Sequence, residues 1–159
     1  MIEQGTTNAD IKSLRILCAA LMVGMIIFTA IAVAINSFDP IANDSLQVYS
    51  NIALAVSVGF ALIFFLTARY FFSKRMIAIK NSSVNVYEKL NQYRTAFVSY
   101  MALCEAPGLL AVVLFLLSGV YWLLLVPIAM ILAIAAKFPT KQKLINDMEL
   151  NWTEQQEME

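Results

Sequence analysis

Four long runs of mostly apolar residues occupy most of this chain, each close to the ~20 residues a helix needs to cross hydrocarbon. They extend over about Leu14 to Ile35, Asn51 to Phe72, Thr95 to Leu117 and Val120 to Ala136. In lipid every backbone N–H and C=O must find an internal partner, so runs of this kind are helices. The fold class expected is therefore all-α, an integral membrane four-helix bundle. Hydrophobic residues make up 60% of the chain and charged residues 14%, against roughly 45–50% and about 25% in soluble domains. So few polar groups cannot cover a soluble core of this size. With 159 residues the chain forms one domain.

Orientation follows from the basic residues, which concentrate in cytoplasmic connections. Lys12 and Arg15 precede the first run. Arg69, Lys74, Arg75, Lys80, Lys89 and Arg94 crowd the second connection. Lys137, Lys141 and Lys143 follow the fourth run, which completes the 11 Lys and Arg. The first connection, residues 36–50, has none and carries Asp39 and Asp44; the third, Ser118-Gly119, has none either. Both termini and the middle connection are thus expected in the cytoplasm, with two short loops outside. Tyr49, Tyr121 and Trp122 fall at the expected outer interface and Tyr70 and Tyr93 at the inner one, depths that amphipathic rings favour. Residues 1–15 mix charges without a short apolar core, so the first run is expected to be retained as a span rather than cleaved as a signal peptide.

The helices are expected to continue past the bilayer. Thr7 and Asp10 have the spacing of a capping box that would start the first helix. No breaker interrupts the second helix before Ile79, and Asn81-Ser82-Ser83 reads as a turn with a helix cap. Val86, Leu90 and Phe97 then recur at helical spacing. Residues 73–94 therefore predict a cytoplasmic helical hairpin. Residues 139–151 predict a C-terminal helix opened by Pro139, its apolar stripe of Leu144, Ile145 and Met148 lying on the membrane surface or against the hairpin. Residues 152–159 read as a polar, frayed tail.

Helices in lipid associate through close packing and internal hydrogen bonds, which small residues four apart assist. Each run has such a pair: Ala20 and Gly24, Ala55 and Gly59, Ala102 and Ala106, Ala129 and Ala133. Ala53, Ser57 and Ala61 mark a further ridge. Ala20-Leu21-Met22-Val23-Gly24 also echoes Ala102-Leu103-Cys104-Glu105-Ala106, as a duplicated two-helix hairpin would.

Several chemistries are excluded. There is no histidine, the commonest metal ligand and general base. Cys18 and Cys104 lie inside apolar runs and read as small buried hydrophobes, giving neither a disulfide framework nor a zinc site. Zero net charge gives no case for nucleic acid. No nucleophile–base pair and no phosphate-binding loop is present, so neither an enzyme nor a cofactor is expected. The partners expected are the bilayer and a homo-oligomeric copy or membrane protein.

Glu105 is the residue that stands out. It is the one ionisable side chain well inside an expected span, where a charge costs about 2.5–3.5 kcal/mol even on lenient scales. Pro107 follows two residues later, lacks an N–H, and so frees the carbonyl of Leu103. Gly108 comes next. With Thr29 and Ser57 at similar expected depth, Glu105 and the Leu103 carbonyl would form a small polar nest. Such a nest has three readings: a bond between helices that sets their register, a proton or cation site, or the floor of a lipid or hydrophobic-ligand pocket beside Pro107. Pro107 and Pro127 are the expected kink points.

The segment Ala102-Leu103-Cys104-Glu105-Ala106-Pro107-Gly108-Leu109, paired with Phe138-Pro139-Thr140-Lys141-Gln142-Lys143-Leu144-Ile145, resembles a group of uncharacterised small four-span bacterial membrane proteins. Those proteins carry an Ala-Leu-x-Glu segment before a Pro-Thr-Lys-x-Lys tail. The resemblance implies the bacterial inner membrane and brings no activity with it. The mid-span glutamate also resembles, faintly, the ion-carrying helix of rotary ATPase ring subunits, which would make Glu105 an ion-binding carboxylate. The dense glycine ridge of those subunits is missing here, since Gly24, Gly59 and Gly108 are scattered over three runs.

Overall fold

The computed structural model describes residues 4–38, 50–82 and 84–149. These residues are helical apart from short connections, with no strand among them. The elements are α1 (Gln4–Phe38), α2 (Ser50–Lys80), α3 (Val86–Ser118), a 3-10 turn (Tyr121–Leu124), α4 (Leu125–Ala136) and α5 (Lys141–Met148). Three of these helices, α1, α2 and α3, are long and apolar enough to cross a membrane; the stretch Tyr121–Ala136 is apolar but shorter. Most of the expected outer loop before α2, and the tail 152–159, lie outside the described residues.

The central element is α3, which packs against α1, α2 and α4, whereas α1 and α2 touch each other little. Its buried stripe explains this. Val86, Leu90, Tyr93, Phe97, Tyr100, Met101, Cys104, Gly108, Ala111, Val112 and Phe115 recur at helical spacing and are all buried. Asn85 caps α3, its side chain accepting a hydrogen bond from the Glu88 N–H at 2.9 Å. The cap is thus Asn85 rather than one of Asn81-Ser82-Ser83, although the turn itself falls where expected. Asn-x-x-Glu at 85–88 is the signal that marks it. At the other end Gly119 adopts φ 68° and its N–H bonds to the Phe115 carbonyl at 2.7 Å. A side chain there would be strained, so glycine ends the helix and turns the chain into α4.

Four expectations are corrected. First, α1 begins at Gln4, so Thr7 lies within the helix rather than at its start. Second, the α-helical part of the fourth run begins only at Leu125. Pro127 therefore falls in the first turn of α4, where its missing N–H costs no bond, and not in a helix interior where it would kink. Third, α5 begins at Lys141, capped by the Thr140 hydroxyl, which accepts from the Lys143 N–H at 3.3 Å. Fourth, Tyr93 turns inward instead of presenting its ring on the outer surface of the bundle. It is buried in a cluster where Phe72 meets Tyr93, Phe97 and Tyr100 with ring centroids 6.0, 6.4 and 5.6 Å apart. Tyr70, Tyr121 and Trp122 are exposed.

The small-residue pairs also fall on an unexpected face. Ala20, Gly24, Ala55, Ala102, Ala106 and Ala129 are exposed, and a Cβ added to Gly24 or Gly59 would meet nothing within 4 Å. Of the further ridge on α2, Ser57 and Ala61 are buried as expected, and Ala68, Ala96, Ala111 and Gly108 are further small residues buried between helices. Bulky Phe, Tyr and Met side chains on α3 fill the spaces between helices, which leaves the regular small pairs on the outside.

One end of the bundle gathers the basic residues. The Arg15 Nε donates to the Pro139 carbonyl at 2.8 Å, and Lys80 pairs with Glu149 at 2.6 Å. Leu144 and Met148 of α5 are buried in the main core, with Ile145 packed against it. Helix α5 thus packs on the bundle and contacts α2.

Candidate functional site

Glu105 lies on α3 at the edge of the buried stripe. Met101, one turn before it, and Gly108, one turn after it, are buried; Ala102 and Ala106 beside it are exposed. The carboxyl is half-buried and makes no hydrogen bond or ion pair with any described residue. Gly108 marks the depth. A Cβ there would stand 2.9 Å from the Met25 Sδ of α1 and 3.6 Å from the Pro127 Cα of α4. Glu105 therefore lies one turn from the point where α3 meets α1 and α4, near the mid-length of the bundle.

The expected nest does not close. The Thr29 hydroxyl donates to its own helix, at the Met25 carbonyl, 2.7 Å away. Since Met25 lies level with Gly108 and α1 runs parallel to α3, Thr29 is level with Val112. Phe72 lies against Phe97 on antiparallel α2 and α3, so Ser57 is level with Val112 too. Both are about 10 Å along the axis from Glu105, seven residues at 1.5 Å each. The Ser57 Oγ is buried without a partner. Leu103 shares α3 with Glu105 but projects 160° away around the helix at 100° per residue, counting two steps back. These four residues are joined by no hydrogen bond. A second polar group that sequence reading overlooked, Tyr100, donates through its hydroxyl to the Ala133 carbonyl at 3.3 Å and ties α3 to α4.

Metal chemistry has no support in side chains: among the described residues no three His, Cys, Asp or Glu cluster. Cys18 and Cys104 are free and buried. Comparison with known protein families, with curated proteins and with solved structures gives no match. The site must be read from its own geometry: a lone carboxyl, half-open to the outside of the bundle, flanked by two alanines.

Proposed function

We propose that this chain is an accessory membrane protein without enzymatic activity, built as a four-span bundle with both termini in the cytoplasm of a bacterial inner membrane. Its outward flank at Glu105 binds a second transmembrane helix, from another copy or a partner protein. The observation that carries the reading is the carboxyl of Glu105, half-exposed at mid-helix with no protein partner. In hydrocarbon such a group is costly, and a helix offering a donor such as a Ser, Asn or Gln side chain would satisfy it. Ala102 and Ala106 allow the close approach that this requires.

The topology is supported by the placement of all 11 basic residues at one end of the bundle. The stretch Tyr121–Ala136 would be the fourth span. Four 3-10 residues and twelve α residues give about 26 Å, a few ångströms short of the ~30 Å core, which local thinning accommodates. A proton or cation site at Glu105 is the weaker reading. Cation binding needs several oxygens, and Thr29 and Ser57 are two turns away.

Photo-cross-linking in native membranes tests the proposal. A photoreactive residue at Ala106 should trap a polypeptide, while one at Ile63, exposed on α2, should trap only lipid. The cross-link should survive Glu105→Gln, which keeps hydrogen bonding, and fail with Glu105→Leu. Equal trapping at both positions sinks the partner reading. Loss of function with Glu105→Gln while the cross-link persists would favour proton handling instead.

A further inference from the structure

Helices α2 and α4 are separated by a groove that the Glu105 flank does not share. Its apolar arm, about 720 Å³, is lined by Leu54, Val58 and Phe65 of α2 and by Trp122, Leu125 and Ala129 on the opposite wall. A second cavity of about 490 Å³ continues it toward the basic end, with Phe65 and Ala133 common to both. There the lining changes to Arg69, Ser73, Lys80, Lys137 and Asp147.

The charges decide what fits. Lys80 is paired with Glu149. Asp147, the acidic residue of this lining, interacts with the Tyr93 phenol, and its Oδ2 is buried without a hydrogen-bond partner. Lys137 stands over the Phe72 ring with its Nζ 5.0 Å from the centroid, and Arg69 is exposed. Taking Arg69, Lys80 and Lys137 against Asp147 and Glu149, the end of the groove keeps one net positive charge. From Leu54 to Phe65 the apolar arm follows eleven residues of α2, and Arg69 lies one turn further on, so the slot is about 22 Å long from its basic mouth to Leu54. The groove thus offers an acyl-length apolar slot ending in a cationic mouth. Basic pockets between spans at the cytoplasmic side are suited to anionic headgroups, and the planar guanidinium of Arg69 suits phosphate.

We infer that this groove binds one anionic phospholipid of the cytoplasmic leaflet, its acyl chain between α2 and α4 and its phosphate at Arg69 and Lys137. The inference rests on the membrane-spanning reading above but not on the role of Glu105.

The test uses the full chain in mild detergent, with dioleoylphosphatidylglycerol, dioleoylphosphatidylcholine and free glycerol 3-phosphate as probes, read by native mass spectrometry and thermal shift. Phosphatidylglycerol should bind and stabilise, phosphatidylcholine should do so less, and glycerol phosphate not at all. Arg69→Gln with Lys137→Gln should weaken phosphatidylglycerol binding by about thirtyfold, bringing it near phosphatidylcholine. Lys74→Gln, a basic residue outside the lining, should leave the preference intact. Ala129→Trp fills the apolar arm and should reduce binding of both lipids with the charges unchanged, which keeps the idea testable if the double variant does not fold. Equal binding of the two lipids overturns the proposal, as does a double variant no weaker than Lys74→Gln. Glycerol phosphate competing as well as the lipid would show a headgroup-only anion site and overturn it. Should Ala129→Trp change the oligomeric state while lipid preference persists, a second chain fills the groove and the proposal fails. Glu105→Leu should not alter lipid binding, so this result and the cross-linking result can fail independently.

Discussion

A single carboxyl on the rim of α3 has opposite consequences for the isolated chain and for its assembly. Half-open and without a partner, Glu105 contributes nothing to holding the bundle together. Glu105→Leu is therefore expected to unfold in detergent at the same temperature as the parent chain or higher, measured by thermal denaturation. A drop of several degrees would mean that the carboxyl bonds within the bundle. Gly108 makes the contrasting case. A methyl there meets the flexible Met25 side chain at 2.9 Å and the Pro127 backbone at 3.6 Å. Gly108→Ala should be nearly neutral, because better helix propensity, about 1 kcal/mol, offsets moving Met25. Gly108→Val forces branched carbon against the α4 backbone and should cost about 1–3 kcal/mol. Denaturant titration in mixed micelles would separate the two.

At the scale of elements, local chemistry sets the helix boundaries. Asn85 and Thr140 hold the first free N–H groups of α3 and α5. Replacing either with Ala should cost about 1 kcal/mol. For Thr140 the loss should appear first as faster hydrogen exchange in α5. Helix α5 ends at Glu149, a non-glycine residue at φ 49°. Left-handed backbone costs about 1–2 kcal/mol, and the exposed ion pair of Glu149 with Lys80 is worth at most about 1. Glu149→Gly is thus expected to be neutral or to stabilise by up to about 1 kcal/mol in thermal unfolding; clear destabilisation would mean that the ion pair anchors α5. The caps were readable from Asn-x-x-Glu and Pro-Thr spacing once the correct residue was chosen. The three long helices α1, α2 and α3 were readable because an apolar run of such length has no other stable form in lipid.

The whole molecule is organised around α3, which packs against α1, α2 and α4. All the basic residues lie toward one end. Cysteine substitutions at Asp44 and Glu88, probed with a membrane-impermeant reagent, should label from opposite faces of the membrane. Labelling from the same face would rule out the four-span arrangement.

Apolar run length and the alternation of basic residues determined the helical class, the three long apolar helices and the grouping of the charged connections. Both are properties of a segment against its solvent, so no neighbour is needed to read them. Which face each helix turns inward was decided only by the tertiary structure. In spans that are apolar all round, hydrophobicity does not distinguish lipid from protein, and packing of shapes makes the choice. That is why the small-residue pairs proved to face outward, why Tyr93 proved to be core, and why Thr29 and Ser57 stand two turns from Glu105. Depth counted along the sequence placed Glu105 at mid-span; only the packing of α1, α2 and α4 around α3 left it on an open flank.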